Sequence, residues 1–393
     1  RPPLQWSAQL AARYGDTFRL RLLGPSYADD RTWRPMVPRT VVMISTPAHL
    51  RELYARSRDD FLVGQAHEFI AWHSGSDSIM VLDGEAHRAE RHDLQAAFRS
   101  GVFPLYERLI REALRRAFAA WPDGGTLPLS SAIFDAMMDA GLTCIFGALP
   151  PDRLMYLRGL VLAGAVTSAV RVPLLVLPFA RQDFGSWSPG GRVRRALAEF
   201  DRFVFQARDE EPAQGSRMLD EMGGLRCPTD ASGKKPQVLA QRVRTVMNGF
   251  HTTAVAAVWL CYHTVRDPEI RARIHAAADQ DGDPSSTAYL EAACKESLRL
   301  NPPFRGEFRR VPAPTMMDGI ALQAGTMVMP LVSLTHRRAD LYPEPDSFRP
   351  GRFLEREYLA EEYAPFGGGI RRCVGEPLVL RHLRILLEEL FRA

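Results

Sequence analysis

A glycine-rich segment that ends at a cysteine constrains this chain more than any other feature of its sequence. Residues 366–375 read Phe-Gly-Gly-Gly-Ile-Arg-Arg-Cys-Val-Gly. Three consecutive glycines let the backbone approach a flat object closely, because they carry no side chains. We expect an amphipathic helix from Gly375 to Leu390, so that Cys373 lies just before a helix N-terminus. The free N–H groups and partial positive charge there favour a thiolate.

The residues around the cysteine indicate what such a thiolate could bind. Arg371 lies two residues before Cys373 and could pair with a carboxylate on the same flat object. A thiolate with oriented amide donors, a close glycine approach and an adjacent arginine would suit an axial ligand of haem iron. For a lone cysteine after glycines, the alternative is a buried structural thiol.

Composition narrows the classes of function. The five cysteines include no CxxC pair, which argues against a disulfide scaffold and a thiolate zinc site. Fifty basic and 46 acidic residues give a formal charge of +4, too mild to imply nucleic acid. No apolar run reaches the ~18 residues of a membrane span, so we expect a cytoplasmic protein. Because the chain starts at Arg1 rather than Met, the lack of a signal peptide carries little weight.

Hydrophobic periodicity predicts a mainly helical chain. From Glu85 to Thr264, apolar residues recur at spacings of three and four. The expected breaks contain Pro or Gly and lie near Gly124, Pro150, Pro189 and Pro228. The stretch from Gln237 to Thr264 predicts one long helix, with a buried face formed by Val243, Val246, Met247 and Phe250. Another helix is predicted from Thr287 to Leu300, where two prolines end it.

A small strand component accompanies the helices. We predict strands at Phe18 to Leu23 and Thr40 to Ser45, joined by a loop from Gly24 to Pro38. Short strands with turns at Asp318-Gly319 and Ala324-Gly325 follow later. No repeat or low-complexity linker divides the chain. The predicted fold is therefore a single, mainly α domain over residues 1–393 with a small β-sheet component.

Several separated motifs together resemble the cytochrome P450 family. The residues that match its cysteine-loop signature are Phe366, Gly369, Arg371, Cys373 and Gly375. The resemblance implies the cytochrome P450 fold and a haem b cofactor with an axial thiolate from Cys373. It also places a set of residues beside that haem: Phe366, Gly367, Arg371 and Gly375.

A second motif concerns the structure around the cysteine loop. Glu296 and Arg299 match the family's ExxR and share one helix face. The resemblance implies that Arg352, in the Phe-x-Pro-x-Arg-Phe stretch at 348–353, completes a buried network with a structural role. Such a network is costly unless every hydrogen bond is made.

Basic residues elsewhere resemble the groups with which the family holds haem propionates. His87 and Arg91 are four residues apart and therefore share a helix face. The resemblance implies that both bind propionates. Arg309 falls where the family often has another such arginine, and Arg310 beside it leaves that choice open.

The segment 248–253 matches the family's oxygen-binding helix with one departure. Gly249 leaves room, and Thr252 matches the hydroxyl with which family members hold iron-bound oxygen species and relay protons. His251 stands where the family usually has an acid. It could deliver protons in the acid's place, or its presence could mean that oxygen activation is weakened. In a third interpretation it points outward or into a satisfied pair and has no catalytic part.

The resemblance also implies a substrate pocket and a redox partner. Aromatic and aliphatic walls predict a hydrophobic or aromatic small molecule, with contacts to Asn248, Phe250, Phe304 and Phe179. Further candidates for the walls are Phe69, Ile70, Trp72 and Ile79. Electrons would come from a ferredoxin or another redox partner. A basic face that could steer an acidic partner would contain Arg371, Arg372, Arg381 and Arg384, although a solvated helix surface is the alternative.

The leading hypothesis is a haem-thiolate monooxygenase, in bacterial secondary metabolism. The first alternative is a haem-thiolate dehydratase, isomerase or cyclase that acts on a substrate already oxidised, for example at an N–O group. Two others are a haem sensor without turnover, against which Gly249 and Thr252 argue, and a helical protein without a cofactor.

Overall fold

The computed structural model describes residues 3–26, 34–56, 60–164, 178–185, 187–210, 217–223, 236–280 and 282–392. Within these ranges, the helices of five or more residues are α1 (Pro3–Tyr14), α2 (Pro47–Ala55), α3 (Gly84–Gln95), α4 (Phe103–Ala119), α5 (Leu129–Phe146), α6 (Pro151–Gly164), α7 (Pro189–Asp209), α8 (Met218–Met222), α9 (Pro236–Arg266), α10 (Pro268–Asp279), α11 (Pro284–Leu300) and α12 (Glu376–Arg392). Four-residue helices lie at Val63–Ala66, Ala71–Ser74, Val332–Thr335 and Arg352–Glu355.

The described strands form two small sheets. They are β1 (Thr17–Ser26), β2 (Arg34–Ile44), β3 (Arg309–Arg310), β4 (Thr315–Met317), β5 (Ile320–Leu322) and β6 (Met327–Pro330). The larger sheet has the order β1-β2-β6-β3, in which β2 and β6 are parallel and the other pairs antiparallel. The mainly α fold with a small sheet component, predicted from the sequence, is confirmed.

Both N-terminal strands are longer than predicted. They continue into the segment from Gly24 to Pro38 that we expected to be a loop, with a register shift between Gly24 and Ser26. Among the described strands, β2 pairs only with β1 before Val41, since β6 joins at Val41–Ile44. Prolines are tolerated in such a two-stranded extension because one edge of each strand needs no partner.

Helix termini differ from the predictions by a few residues, for local reasons. Helix α11 begins at Pro284 rather than Thr287, because the Asp283 carboxylate accepts the N–H of Ser286 and Pro284 fits the first turn. Helix α12 begins at Glu376, one residue later than expected. The predicted break near Pro228 lies outside the described residues.

The principal core lies between α4, α5, α9, α11 and α12. The predicted buried face of α9 is confirmed, since Val243, Val246, Met247 and Phe250 are all buried. Gly141 in α5 allows the two helices to approach, because a Cβ there would lie 2.5 Å from Phe250 Cγ. The contact fixes α9, which carries one wall of the site described below, against the core.

One described helix, α5, is long and apolar enough to cross a membrane by length and composition. Polar residues are scattered along α5, so the sequence of this helix contains no uninterrupted apolar run. Within the protein 61% of this stretch is buried. A core helix has the same properties, so the support for a membrane span is weak.

Candidate active site

A largely apolar cavity of ≈ 340 Å³ lies beside the cysteine segment. Its walls come from the end of α2, from α3, from the middle of α9, from residues 303–309 and from residues 364–375. Cavities of this size hold small organic molecules. The residues predicted for a haem site and the residues predicted for a substrate site mostly meet here.

The glycines of the cysteine segment allow a close approach to a neighbouring helix. A Cβ on Gly368 would lie 2.3 Å from the ring of Tyr54, and one on Gly369 would lie 2.4 Å from the Tyr54 carbonyl oxygen. Gly369 also has φ +63°, which other residues rarely adopt. At Gly368 and Gly369 the missing side chain thus makes room for the end of α2, and not only for a flat ligand as predicted from the sequence.

Cys373 faces the cavity from the end of this segment. Its backbone N–H donates to the Phe366 carbonyl at 2.9 Å, which closes the loop. Burial raises the pKa of the Cys373 thiol, whereas the N–H groups of Gly375 and Glu376 and the charge of Arg91 lower it. The amides that lower this pKa belong to the start of α12, where the sequence predicted such donors.

Three basic residues that the family resemblance assigned to propionates also line the cavity: His87, Arg91 and Arg309. Arg91 is half-buried and makes no hydrogen bond or ion pair with any described residue. Arg309 is 4% exposed, and its Nε has no partner within the described part of the chain. Cations whose acceptors are distant or absent are costly in an apolar cavity, so the site fits a ligand that brings carboxylates.

Arg309 and Arg310 have different surroundings, which favour Arg309 as the predicted ligand-binding residue. Arg309 lines the cavity, whereas Arg310 donates to Gln65 Oε1 at 3.0 Å and does not line it.

Arg371 reaches the cavity wall, but its guanidinium is engaged by protein groups. It donates to Asp83 Oδ1 at 2.5 Å and to the carbonyls of Leu82 and Ile79 at 2.6 and 3.2 Å. The expectation that it also meets a carboxylate of the ligand stays a prediction. Arg371 joins the cysteine segment to the N-terminus of α3.

Another wall of the cavity is the middle of α9. Asn248, Gly249, Phe250 and Thr252 all line the cavity. The Thr252 hydroxyl donates to the Gly249 carbonyl at 2.8 Å, which leaves its lone pairs free to accept. Asn248 is half-buried and forms no hydrogen bond with the described residues. A Cβ on Gly249 would meet nothing within 4 Å, so this glycine leaves open space.

His251 does not line the cavity. Its ring packs edge-on against Phe134 of α5, with 5.3 Å between ring centroids, and burial lowers its pKa. A helix turns about 100° per residue, so the cavity-facing side of α9 that includes Gly249 and Thr252 does not include His251. Of the three interpretations, this placement favours the one in which His251 has no contact with the reacting groups.

A different histidine, His382 of α12, lines the cavity. It is 1% exposed, and neither ring nitrogen has a hydrogen-bond partner in the described ranges. Its ring stands edge-on to Phe250 at 5.9 Å. Sequence reasoning missed it because a histidine in an amphipathic helix gives no local signal of a cavity.

The remaining substrate predictions have mixed outcomes. Phe304 lines the cavity and is 48% exposed. Ile79 lines it as well, but Phe69, Ile70 and Trp72 do not. The side chain of Phe179 lies outside the described part of the structure. Sequence reasoning also missed Tyr54 and Glu307, two polar residues of the wall.

This geometry agrees with the comparison against known families. A family model described as Cytochrome P450 matches residues 8–393. The chain belongs to the cytochrome P450 family.

Relatives and a solved structure extend the comparison. Cytochrome P450 135B1 of Mycobacterium tuberculosis is 27% identical over 393 residues, which cover 97% of this chain and 78% of that protein. Cytochrome P450 135A1 of the same organism is 26% identical over 395 residues, covering 97% and 81%. The solved structure of cyanobacterial CYP120A1 with bound retinoic acid has a TM-score of 0.80 and 20% identity, covering 100% of this chain and 87% of that one. This structural likeness shows the P450 fold.

Membership of the P450 family implies an oxidoreductase with haem held by a cysteine thiolate. In this chain Cys373 is the cysteine on the cavity, whereas Cys144, Cys261 and Cys294 are buried in the core. P450 enzymes bind small substrates and receive electrons from redox partners.

The P450 ExxR motif forms a buried network in this structure. Glu296 accepts hydrogen bonds from Arg299 Nε at 2.7 Å and from Arg352 Nε at 2.9 Å, and all three side chains are at most 2% exposed. The remaining donors are also satisfied: Arg299 donates to the carbonyls of His336 and Pro345 at 2.7 Å. Because its hydrogen bonds are made, the network can hold α11 against the segment that leads to the cysteine loop.

The arginines expected to form a basic P450 surface for a redox partner each have an acidic neighbour. The ion pairs are Arg371–Asp83 at 2.5 Å, Arg372–Glu376 at 2.5 Å, Arg381–Glu107 at 2.9 Å and Arg384–Glu388 at 2.5 Å. The pairing reduces the local positive charge. The surface therefore carries interspersed charges rather than a uniform basic patch.

Proposed function

We propose that this P450 is a haem-thiolate monooxygenase that inserts one oxygen atom from O₂ into a hydrophobic or aromatic small molecule. The observation that carries the proposal is that one cavity has the Cys373 thiol on one wall and Gly249 with Thr252 on another. Haem iron with a thiolate ligand supplies the activation of dioxygen when it is bound.

Two features of the cavity wall would hold haem b: the cysteine segment with its N–H donors, and basic residues without a close counter-ion. Cys373 would be the axial ligand, and the N–H groups of Gly375 and Glu376 favour its deprotonated form. Arg91 and Arg309 would bind the carboxylates, with His87 beside them. Arg371 would act indirectly, because its ion pair with Asp83 fixes the cysteine segment.

The α9 wall would orient the substrate and move protons. The Thr252 hydroxyl can accept a hydrogen bond while it donates to the Gly249 carbonyl, so it can hold a proton donor beside the open space at Gly249. Asn248 can hydrogen-bond a polar group of the substrate, while Phe250 and Phe304 contribute apolar surface. Apolar walls with a few placed polar groups select an apolar molecule with one polar handle.

A second candidate function is the O₂-independent dehydratase, isomerase or cyclase. It is suggested by the histidine at position 251, where the family usually has an acid, and Glu307 is then the carboxylate on the cavity wall within the described residues. Product formed under anaerobic conditions without reductant would support this alternative. A strict need for both O₂ and reductant supports the monooxygenase.

The proposal is tested by the spectrum of the reduced protein with carbon monoxide. We expect the wild type to show the long-wavelength band of a thiolate-ligated haem. Cys373→Ser should abolish this band, and Cys261→Ala, at a buried core cysteine, should keep it. A Cys373→Ser protein with the wild-type band and activity would overturn the proposal.

We further propose a ferredoxin-type electron donor and a role in bacterial secondary metabolism. The exposed arginine of the surface near the cysteine loop, Arg372, supports contact with an acidic donor, although Glu376 offsets its charge. The cytoplasmic location stays a prediction.

A further inference from the structure

Two buried polar atoms without partners lie on the same wall of the cavity. One is the hydroxyl oxygen of Tyr54 at the end of α2, and the other is Nε of Arg309 in β3. Neither makes a hydrogen bond within the described ranges of the chain. The two side chains are neighbours, since the guanidinium carbon of Arg309 lies 5.5 Å from the centre of the Tyr54 ring.

The protein groups nearest to Arg309 leave its hydrogen-bonding capacity largely unused. Its Nη2 lies 3.5 Å from the Gly368 carbonyl, at the limit of a hydrogen bond. The Glu307 carboxylate lies 3.9 Å from Nη2, beyond hydrogen-bond distance. Burial lowers the pKa of Arg309, and Glu307 raises it. The site therefore still lacks a close acceptor.

Buried donors of this kind need an acceptor that enters with a ligand. Leaving a buried donor unpaired is unfavourable, so both atoms favour the entry of an acceptor. A carboxylate has two oxygens and can accept from a phenol and a guanidinium at once. It also brings a negative charge within hydrogen-bond distance of Arg309, which Glu307 at 3.9 Å does not.

We propose that Tyr54 and Arg309 together bind one carboxylate of the haem, with the Tyr54 hydroxyl as a donor that no motif in this sequence identifies. The inference rests on the haem of the proposed function and adds a residue to it. Because both atoms are covered, binding requires a small side-chain movement toward the cavity.

Tyr54 is well placed to link this carboxylate to the cysteine segment. The missing Cβ of Gly368 lets the segment lie directly on the Tyr54 ring, as described above. Burial raises the pKa of Tyr54 to about 12, so the phenol keeps its proton and remains a donor through the neutral range.

The test compares two tyrosine variants that each lose one buried, unpartnered hydroxyl. Tyr54→Phe removes the proposed donor and keeps the ring that Gly368 contacts. Tyr106→Phe is the matched control, because its hydroxyl is also buried and unpartnered among the described residues but does not line the cavity. The measurement is the rate of haem transfer from each purified holoprotein to excess apomyoglobin.

We expect Tyr54→Phe to lose haem about tenfold faster than the wild type, as is typical when a hydrogen bond to a charged group is lost. Tyr106→Phe should lose it at the wild-type rate. Equal rates for Tyr54→Phe and the wild type would overturn the inference.

Haem dimethyl ester separates carboxylate binding from a merely structural role. Its ester carbonyls can accept a hydrogen bond but carry no negative charge, so the difference in release rate between wild type and Tyr54→Phe should be much smaller than with haem. A Tyr54→Phe effect of the same size with the ester would show that the hydroxyl supports the fold instead, and would also overturn the inference. A wild type that binds no haem would overturn the proposed function itself, and a normal carbon monoxide band with equal release rates overturns only this inference.

Discussion

His336 and His382 are buried, uncharged imidazoles. The two ring nitrogens of His336 are both used: Nε2 accepts the Ala364 N–H at 2.9 Å, so Nδ1 carries the proton and donates to the Arg299 carbonyl at 3.1 Å. His382 has no such partners in the described ranges. Burial lowers the pKa of each histidine to about 3.

These two residues predict a loss of stability in mild acid. A histidine in the unfolded chain has a pKa of ~6.5, so below that pH the unfolded state binds a proton that the folded state does not. Each histidine should then lower the free energy of unfolding by about 1.4 kcal/mol per pH unit between ~6.5 and ~3. Above ~6.5 its contribution is constant.

His382→Leu should lower the number of protons that the protein takes up on unfolding in mild acid by about one. Denaturant unfolding of wild type and variant at pH 7.5, 6.0 and 5.0 measures the slope. We expect the two stability curves to diverge as the pH falls, in favour of His382→Leu. Parallel curves would contradict the assignment of His382 as a buried neutral group.

At the scale of elements, the Glu296 network joins α11 to the segment before the cysteine loop. Glu296→Gln keeps the size of the side chain but leaves Arg299 and Arg352 as buried charges without a counter-ion. Removing one partner of a buried ion pair typically costs ~3–5 kcal/mol. We expect a loss of that size in the free energy of unfolding by urea, together with reduced haem content.

The matched control for this prediction is Glu210→Gln. Glu210 forms an ion pair with Arg153 at 2.9 Å, in which the arginine side chain is 36% exposed and the glutamate side chain 49% exposed. Exposed pairs contribute ~0–1 kcal/mol, so this variant should unfold almost as the wild type does. Similar losses in both variants would mean that burial does not set the strength of the Glu296 network.

Elements with strong local patterns could be predicted from the sequence. The long helix α9 and its buried face follow from apolar spacing, and Cys373 follows from the motif around it. Orientation is harder, because it depends on which neighbour a side chain meets. His251 turns toward Phe134, and Arg371 meets Asp83 from 288 residues away, neither of which a local pattern reveals.

The same limit explains why Tyr54 and His382 were missed. Both belong to helices whose sequences read as ordinary surface or core, and they become cavity residues only when α2 and α12 pack beside the cysteine segment. Long-range packing, rather than composition, selects them.

At the scale of the whole molecule, the cavity makes the fold depend on its ligand. A group that binds the folded state alone stabilises it by ~4 kcal/mol at a thousandfold excess over Kd. The haem-free protein should therefore unfold at a lower temperature than the holoprotein. Scanning calorimetry of both forms measures the difference, and identical transition temperatures would contradict haem binding in the cavity.

The parallel pairing of Val41–Ile44 with Met327–Pro330 also governs the order in which the chain can fold. The connection between these two strands runs from Ile44 to Met327, and closing a loop of that length costs on the order of 5 kcal/mol of chain entropy. During synthesis, the β1–β2 hairpin emerges from the ribosome before β6. Its apolar residues Val41 and Met43 stay uncovered until Met327 and Leu331 pack against them. Until then the hairpin presents an open edge to other nascent chains, so translation arrested before β6 should yield an aggregation-prone fragment.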